Sequence, residues 1–137
     1  MEKSLPELVE KILQAHPQTQ GIWLFGSMAA GDATRESDID IAILLPPGTP
    51  GPSQADHSLR LDLAQVAGRD VDLVRLRDLN TVFANEIVSH GHRIWEGDPR
   101  AMAEFEMNTL SLWQKLNQER AGILEDILTG GRILAHG

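Results

Sequence analysis

Residues 21–45 read GIWLFGSMAAGDATRESDIDIAILL. Two apolar runs of strand length stand in this stretch, Gly21 to Phe25 and Asp38 to Leu45. The second is rich in isoleucine, which suits a buried strand. Gly26 and Ser27 follow the first run directly. Asp38 and Asp40 open the second, and ten residues separate Ser27 from Asp38. Side chains alternate along a strand, so Asp38 and Asp40 share one face while Ile39, Ile41 and Ile43 take the other, toward a core. Two carboxylates side by side in an apolar strand repel each other, and burying them unpaired is costly. No lysine or arginine alternates with them. A divalent cation is therefore the simplest neutraliser, and Mg²⁺ is the expected one, because it takes one or two carboxylates together with substrate phosphates.

Gly26 and Ser27 supply the complementary half. A tight turn after a strand exposes backbone N–H groups that can cradle phosphate oxygens. Glycine lets a ligand approach the backbone closely, and the serine hydroxyl adds a donor. A third carboxylate is expected from Val71 to Arg75, VDLVR, which reads as the next strand. Asp72 sits there between apolar neighbours that face the other way. Asp70 is its rival, two residues earlier on the same face. Asp72 is preferred because Asp70 follows Gly68-Arg69 and reads as the start of the strand.

Working outward, Leu5, Leu8, Val9, Ile12 and Leu13 recur at helical spacing, which predicts a helix over 4–15. Ser4 with Glu7 offers it a capping box. The run PPGTPGP at 46–52 holds four of the seven prolines and reads as a loop. A helix follows over 54–67, with Ser53 as N-cap and Asp56 three residues on. Residues 79–89 read as a helix closed by Gly91, and His92 to Trp95 as a short fourth strand. A long helical pattern runs from Ala101 to Leu128, with Met102, Phe105, Thr109, Trp113, Leu116, Ile123 and Ile127 in one stripe. Gly122 is an expected bend or break in it. Strands separated by helices predict an α/β (α+β) fold.

The bulk composition narrows the function. The chain has 137 residues, a net charge of −8 and no cysteine. The length predicts one domain over 1–137. Disulfides, thiolate metal sites and a cysteine nucleophile are excluded, and the composition agrees with a cytoplasmic location. No apolar run approaches the roughly 18 residues of a membrane span, so no membrane partner is expected. Overall acidity argues against nucleic acid as the main partner.

GSMAAGDATRESDID resembles the G-S-x10-D-x-D signature of the polymerase β-like nucleotidyltransferases, and the longer phrase GSMAAGDATRESDIDIAILL is most similar to their minimal nucleotidyltransferase (MNT) branch. RDVDLVRLRDLN and HRIWEGD match the branch's usual continuation, so the resemblance covers about residues 20–97. It implies a small mixed sheet with packed helices, followed by a C-terminal helical segment at about 99–129. It also implies Asp38 and Asp40 as shared metal ligands, Asp72 as the third carboxylate, and Gly26 with Ser27 as a triphosphate clamp. Two Mg²⁺ ions and ATP are the implied cofactor and nucleotide. MNT proteins of this size resemble antitoxins whose partner is a HEPN-domain ribonuclease toxin, which they silence by adenylylating a tyrosine. Two alternatives stay open: a small-molecule nucleotidyltransferase of the aminoglycoside-modifying kind, and a non-enzymatic antitoxin that neutralises its partner by binding.

Several residues carry two readings. Arg35 can touch a phosphate or be a solvated loop charge. Ser37 can serve catalysis or simply fix the loop before Asp38. His90 and His92 read as exposed residues flanking a turn rather than as metal ligands. Arg75 and Arg77 read as solvent-exposed, and Trp23, Trp95 and Trp113 as packing residues. The C-terminal helix is either core or arm.

Overall fold

A computed structural model describes residues 4–26 and 38–130. The elements run α1 (Leu5–Ala15), β1 (Gly21–Phe25), β2 (Ile39–Leu44), α2 (Gln54–Ala67), β3 (Val71–Arg75), a 3₁₀ turn (Leu76–Asp78), α3 (Thr81–His90), β4 (His92–Glu96) and α4 (Pro99–Gly130). The four strands form one mixed sheet in the order β3-β2-β1-β4. β1 is antiparallel to both β2 and β4, and β2 is parallel to β3. A parallel pair needs a crossover, and α2 provides it.

Helices cover both faces of the sheet. On one face Leu8 and Ile12 of α1 and Leu59 and Leu63 of α2 pack on Ile22, Ile39, Ile41 and Ile43. On the other, Ile87 of α3 and Met102 of α4 pack on Trp23, Ala42 and Leu44. The alternation of β2 thus feeds two cores, and its apolar content exceeds what a one-sided strand requires. Asp40 lies on the Ala42 and Leu44 face, at the end where the strand leaves the core.

Local signals explain most boundaries. Ser53 and Asp56 form a capping box at the start of α2, and Gly68 closes that helix in the left-handed conformation. Asp98 caps α4 by accepting from the Ala101 N–H at 3.0 Å. Three expectations are corrected. Ser4 makes no side-chain cap, because it is already helical in φ and ψ. The helix expected from 79 begins at Thr81, because Leu76–Asp78 turn as 3₁₀ and Asn80 takes the cap, accepting from Phe83 N–H at 2.8 Å. Gly122 does not break α4, which runs through it to Gly130.

α4 is both core and arm. Met102 and Thr109 are buried, whereas Ile123, Leu124, Ile127 and Leu128 stand exposed. Among the described residues no helix is long and apolar enough to cross a membrane.

Candidate active site

Strand register gathers the site at one end of the sheet. β1 ends at Phe25, opposite Asp40, and Gly26 follows at once. Asp40 in turn stands opposite Asp72 across the parallel β2–β3 pair. The Ile39 N–H donates to the Asp70 carbonyl at 2.9 Å, which brings the approach to β3 alongside Asp38. The residue order of two distant motifs is thereby converted into one row: Gly26, Asp40, Asp72.

Gly26 has φ +74°, a conformation that favours glycine. A Cβ there would lie 2.2 Å from Asp40 Oδ2. The turn therefore needs glycine twice, for its backbone and for the space of the adjacent carboxylate.

Asp38, Asp40, Asp70 and Asp72 line one cleft of about 460 Å³ between the sheet end and α2, which contributes His57 and Arg60. Partial burial pushes the Asp40 carboxyl above its usual range, and the charges of Asp72 and Asp38 push the same way. Arg60 donates from Nη2 to Asp72 Oδ1 at 2.6 Å, with both side chains about half exposed. Among the described residues no three histidine or acidic side chains are gathered closely enough to hold one metal ion. Asp38, which stands just before β2, and Asp40 within it both line the cleft. Their chemistry suits Mg²⁺, which binds one or two carboxylates and fills its shell with phosphate and water oxygens.

Of the residues singled out in the sequence, Gly26, Asp38, Asp40 and Asp72 are brought together. Ser27, Arg35 and Ser37 lie outside the described residues. Asp70 lines the same cleft as Asp72 but stands before the strand. Arg60 was not foreseen: nothing local marks one arginine of an amphipathic helix as the partner of an aspartate 12 positions on. Arg75 and Arg77, expected in solvent, are engaged instead. Arg75 donates to Asp56 and to the Pro50 carbonyl. Arg77 donates to the Leu45 carbonyl at 2.6 Å and lies 5.4 Å from the Phe105 ring centroid. His90 faces Glu86 at 3.9 Å across one helical turn. The most voluminous of the described cavities, about 830 Å³ between α3 and α4, is lined mainly by Asn80 to Phe83, Leu116 and Arg120 and gathers no carboxylate cluster.

Comparison with known proteins agrees with this geometry. Residues 7–100 match the family model described as polymerase beta, nucleotidyltransferase. The chain is 36% identical over 124 residues to the protein adenylyltransferase MntA of Shewanella oneidensis, covering 88% of this chain and 84% of that one. Its fold superposes with a TM-score of 0.76 on a toxin–antitoxin crystal structure with AMP-PNP, at 34% identity over 91% of this chain and 98% of the other. A further solved structure, of the tri-AMPylated Shewanella oneidensis HEPN toxin with its MNT antitoxin, matches with a TM-score of 0.72 at 30% identity, over 93% of this chain and 98% of the other. The family match spans more than half of the chain, and Asp38 and Asp40 of the signature line the cleft, so the chain belongs to the polymerase beta nucleotidyltransferase family.

Proposed function

We propose that the chain is a protein adenylyltransferase antitoxin that transfers AMP from ATP to a tyrosine hydroxyl of a partner HEPN toxin, and so silences it. The observation that carries this reading is the register that sets Asp40 between Gly26 and Asp72. It is joined to similarity, over about nine tenths of the chain, to an antitoxin solved with an ATP analogue. In this reading residues 1–137 act as one nucleotidyltransferase domain in the cytoplasm, with two Mg²⁺ ions as cofactor.

The residues divide the work. Gly26, with Ser27 and the adjoining loop residues Arg35 and Ser37, receives the triphosphate through backbone and side-chain donors. Asp38 and Asp40 hold Mg²⁺, and Asp72 completes the carboxylate set. When bound, Mg²⁺ supplies positive charge against the triphosphate oxygens and the leaving pyrophosphate. The acceptor oxygen forms a bond to the α-phosphorus as the bond from that phosphorus to the bridging oxygen breaks. Asp72 takes the hydroxyl proton, directly or through water, and pyrophosphate departs with the electron pair of the broken bond. The acceptor comes from a partner, a reading supported by the similarity to the MNT antitoxin solved with its tri-AMPylated HEPN toxin.

The test is incubation of the purified chain with Mg²⁺ and ATP labelled at the α-phosphate, with and without its co-expressed HEPN partner. Label on the partner, lost with Asp38→Ala, is the expected result. A tight complex with no labelled partner would overturn the protein-modifying reading in favour of neutralisation by contact.

A further inference from the structure

Four aspartates line the cleft, and Arg60 is paired with one of them. Its guanidinium is placed on Asp72 Oδ1 at 2.6 Å through Nη2. That contact is made from α2, across the edge strand β3, to the carboxylate in register with Asp40. Meanwhile no three acidic side chains of the described cleft are close enough to share an ion. We infer that Arg60 is a latch on Asp72: it occupies an oxygen of the carboxylate in register with Asp40 and is displaced when a divalent cation enters. Arg60 is in this sense a positioning residue, acting through Asp72, and it sets the cation concentration at which the site assembles. The inference rests on the reading of Asp72 as the third carboxylate of a nucleotidyl-transfer site.

The geometry suits a displaceable latch. The side chains are 45% and 48% exposed, so water and salt screen the pair and it is held weakly. A long side chain on the exposed side of a helix swings away without moving the backbone. A divalent ion brings twice the charge of a guanidinium and interacts with Asp38 and Asp40 as well, so it wins the competition once it is concentrated enough. Without the latch, the positive charge that competes for Asp72 is gone and the same ion binds at lower concentration.

The experiment uses the full chain, stripped with EDTA, at constant ionic strength. Its melting temperature is followed against added Mg²⁺ without nucleotide, since an ion at free concentration c that binds only the folded state raises stability by RT ln(1 + c/Kd), and the midpoint is the concentration at which that gain reaches RT ln 2. Arg60→Gln is expected to shift the Mg²⁺ midpoint down by about two- to fivefold. Arg60→Lys, which keeps the charge, is expected to stay near the wild-type midpoint. Asp72→Asn is expected to shift the midpoint up. Direct titration of Mg²⁺ by calorimetry at a temperature where each variant is folded gives the same midpoints even if Arg60→Gln melts earlier. A midpoint for Arg60→Gln equal to or above wild type, beside a weakened Asp72→Asn, would overturn the latch alone and make Arg60 a simple staple between α2 and β3. No effect of Asp72→Asn would overturn both the latch and the placing of Asp72 among the cation ligands. Neither result depends on the identity of the acceptor.

Discussion

Gly26 and Asp40 are packed so closely that residue 26 has no room for a side chain: a Cβ would stand 2.2 Å from Asp40 Oδ2. Gly26→Ala meets two penalties. The left-handed backbone at φ +74° is strained by about 1–2 kcal/mol for a residue with a Cβ. The Asp40 carboxylate must also move, and a displacement of about 1 Å at a reacting centre costs on the order of 100-fold in rate. The expected outcome is a folded protein with AMP transfer reduced by that factor or more. Transfer within threefold of wild type, at an unchanged melting temperature, would contradict the role given to this turn.

Asp72 and Asp70 line the same cleft, yet register separates them. Asp72 stands opposite Asp40 inside β3. Asp70 precedes the strand and gives the sheet a backbone carbonyl, which any residue would supply. Asp72→Asn removes a proton acceptor and an expected cation ligand, and is expected to lower transfer by roughly 10² to 10⁴. Asp70→Asn is expected to stay within a few-fold of wild type. Steady-state transfer rates for the two variants check this, and a reversed order would move the third carboxylate to Asp70.

The parts of this site legible in the sequence are those set by local periodicity. A two-residue spacing brings Asp38 and Asp40 to one cleft, although β2 begins only at Ile39, and the structure keeps Ile39, Ile41 and Ile43 together in one core. The capping box of Ser53 and Asp56 is equally local, and it fixes the start of α2. What sequence reading misses is tertiary. Arg60 meets Asp72 only because α2 crosses back over a parallel pair. Arg75 and Arg77 look solvated until the 46–52 loop and α4 close around them. Gly122 shows the remaining kind of error, in which one residue of low helix propensity is outvoted by the helix around it.

That helix offers a clean test of propensity. Nothing lies within 4 Å of a Cβ added at Gly122, and α4 is continuous on both sides of it. Gly122→Ala therefore gains backbone entropy without a clash. It is expected to stabilise the chain by roughly 0.5–1 kcal/mol. Thermal unfolding should show a rise of about 2–4 °C. No rise would mean that the distal part of α4 does not share the cooperative unfolding of the sheet.

Asp56 ties three segments together at the foot of α2. Its carboxylate accepts from His16 Nε2 at 2.7 Å, from Arg75 Nη2 at 2.8 Å and from the Ser53 N–H at 2.8 Å. Only 13% of its side chain is exposed. Burial alone would raise its pKa, but the Ser53 N–H, the His16 hydrogen bond and the Arg75 charge together hold it below its ordinary value of 3.8. A carboxylate depressed in the folded state contributes stability that is fully present above its unfolded pKa and is lost as pH falls through its folded pKa. Asp56→Asn, which leaves Arg75 without its counter-charge, is expected to cost roughly 1–3 kcal/mol at pH 7. The gap between variant and wild type should close as the pH falls through the folded-state pKa of Asp56, below the ordinary carboxylate range. Urea unfolding at stepped pH measures it. A gap that persisted well below that range would mean that Asp56 is held by something other than its charge.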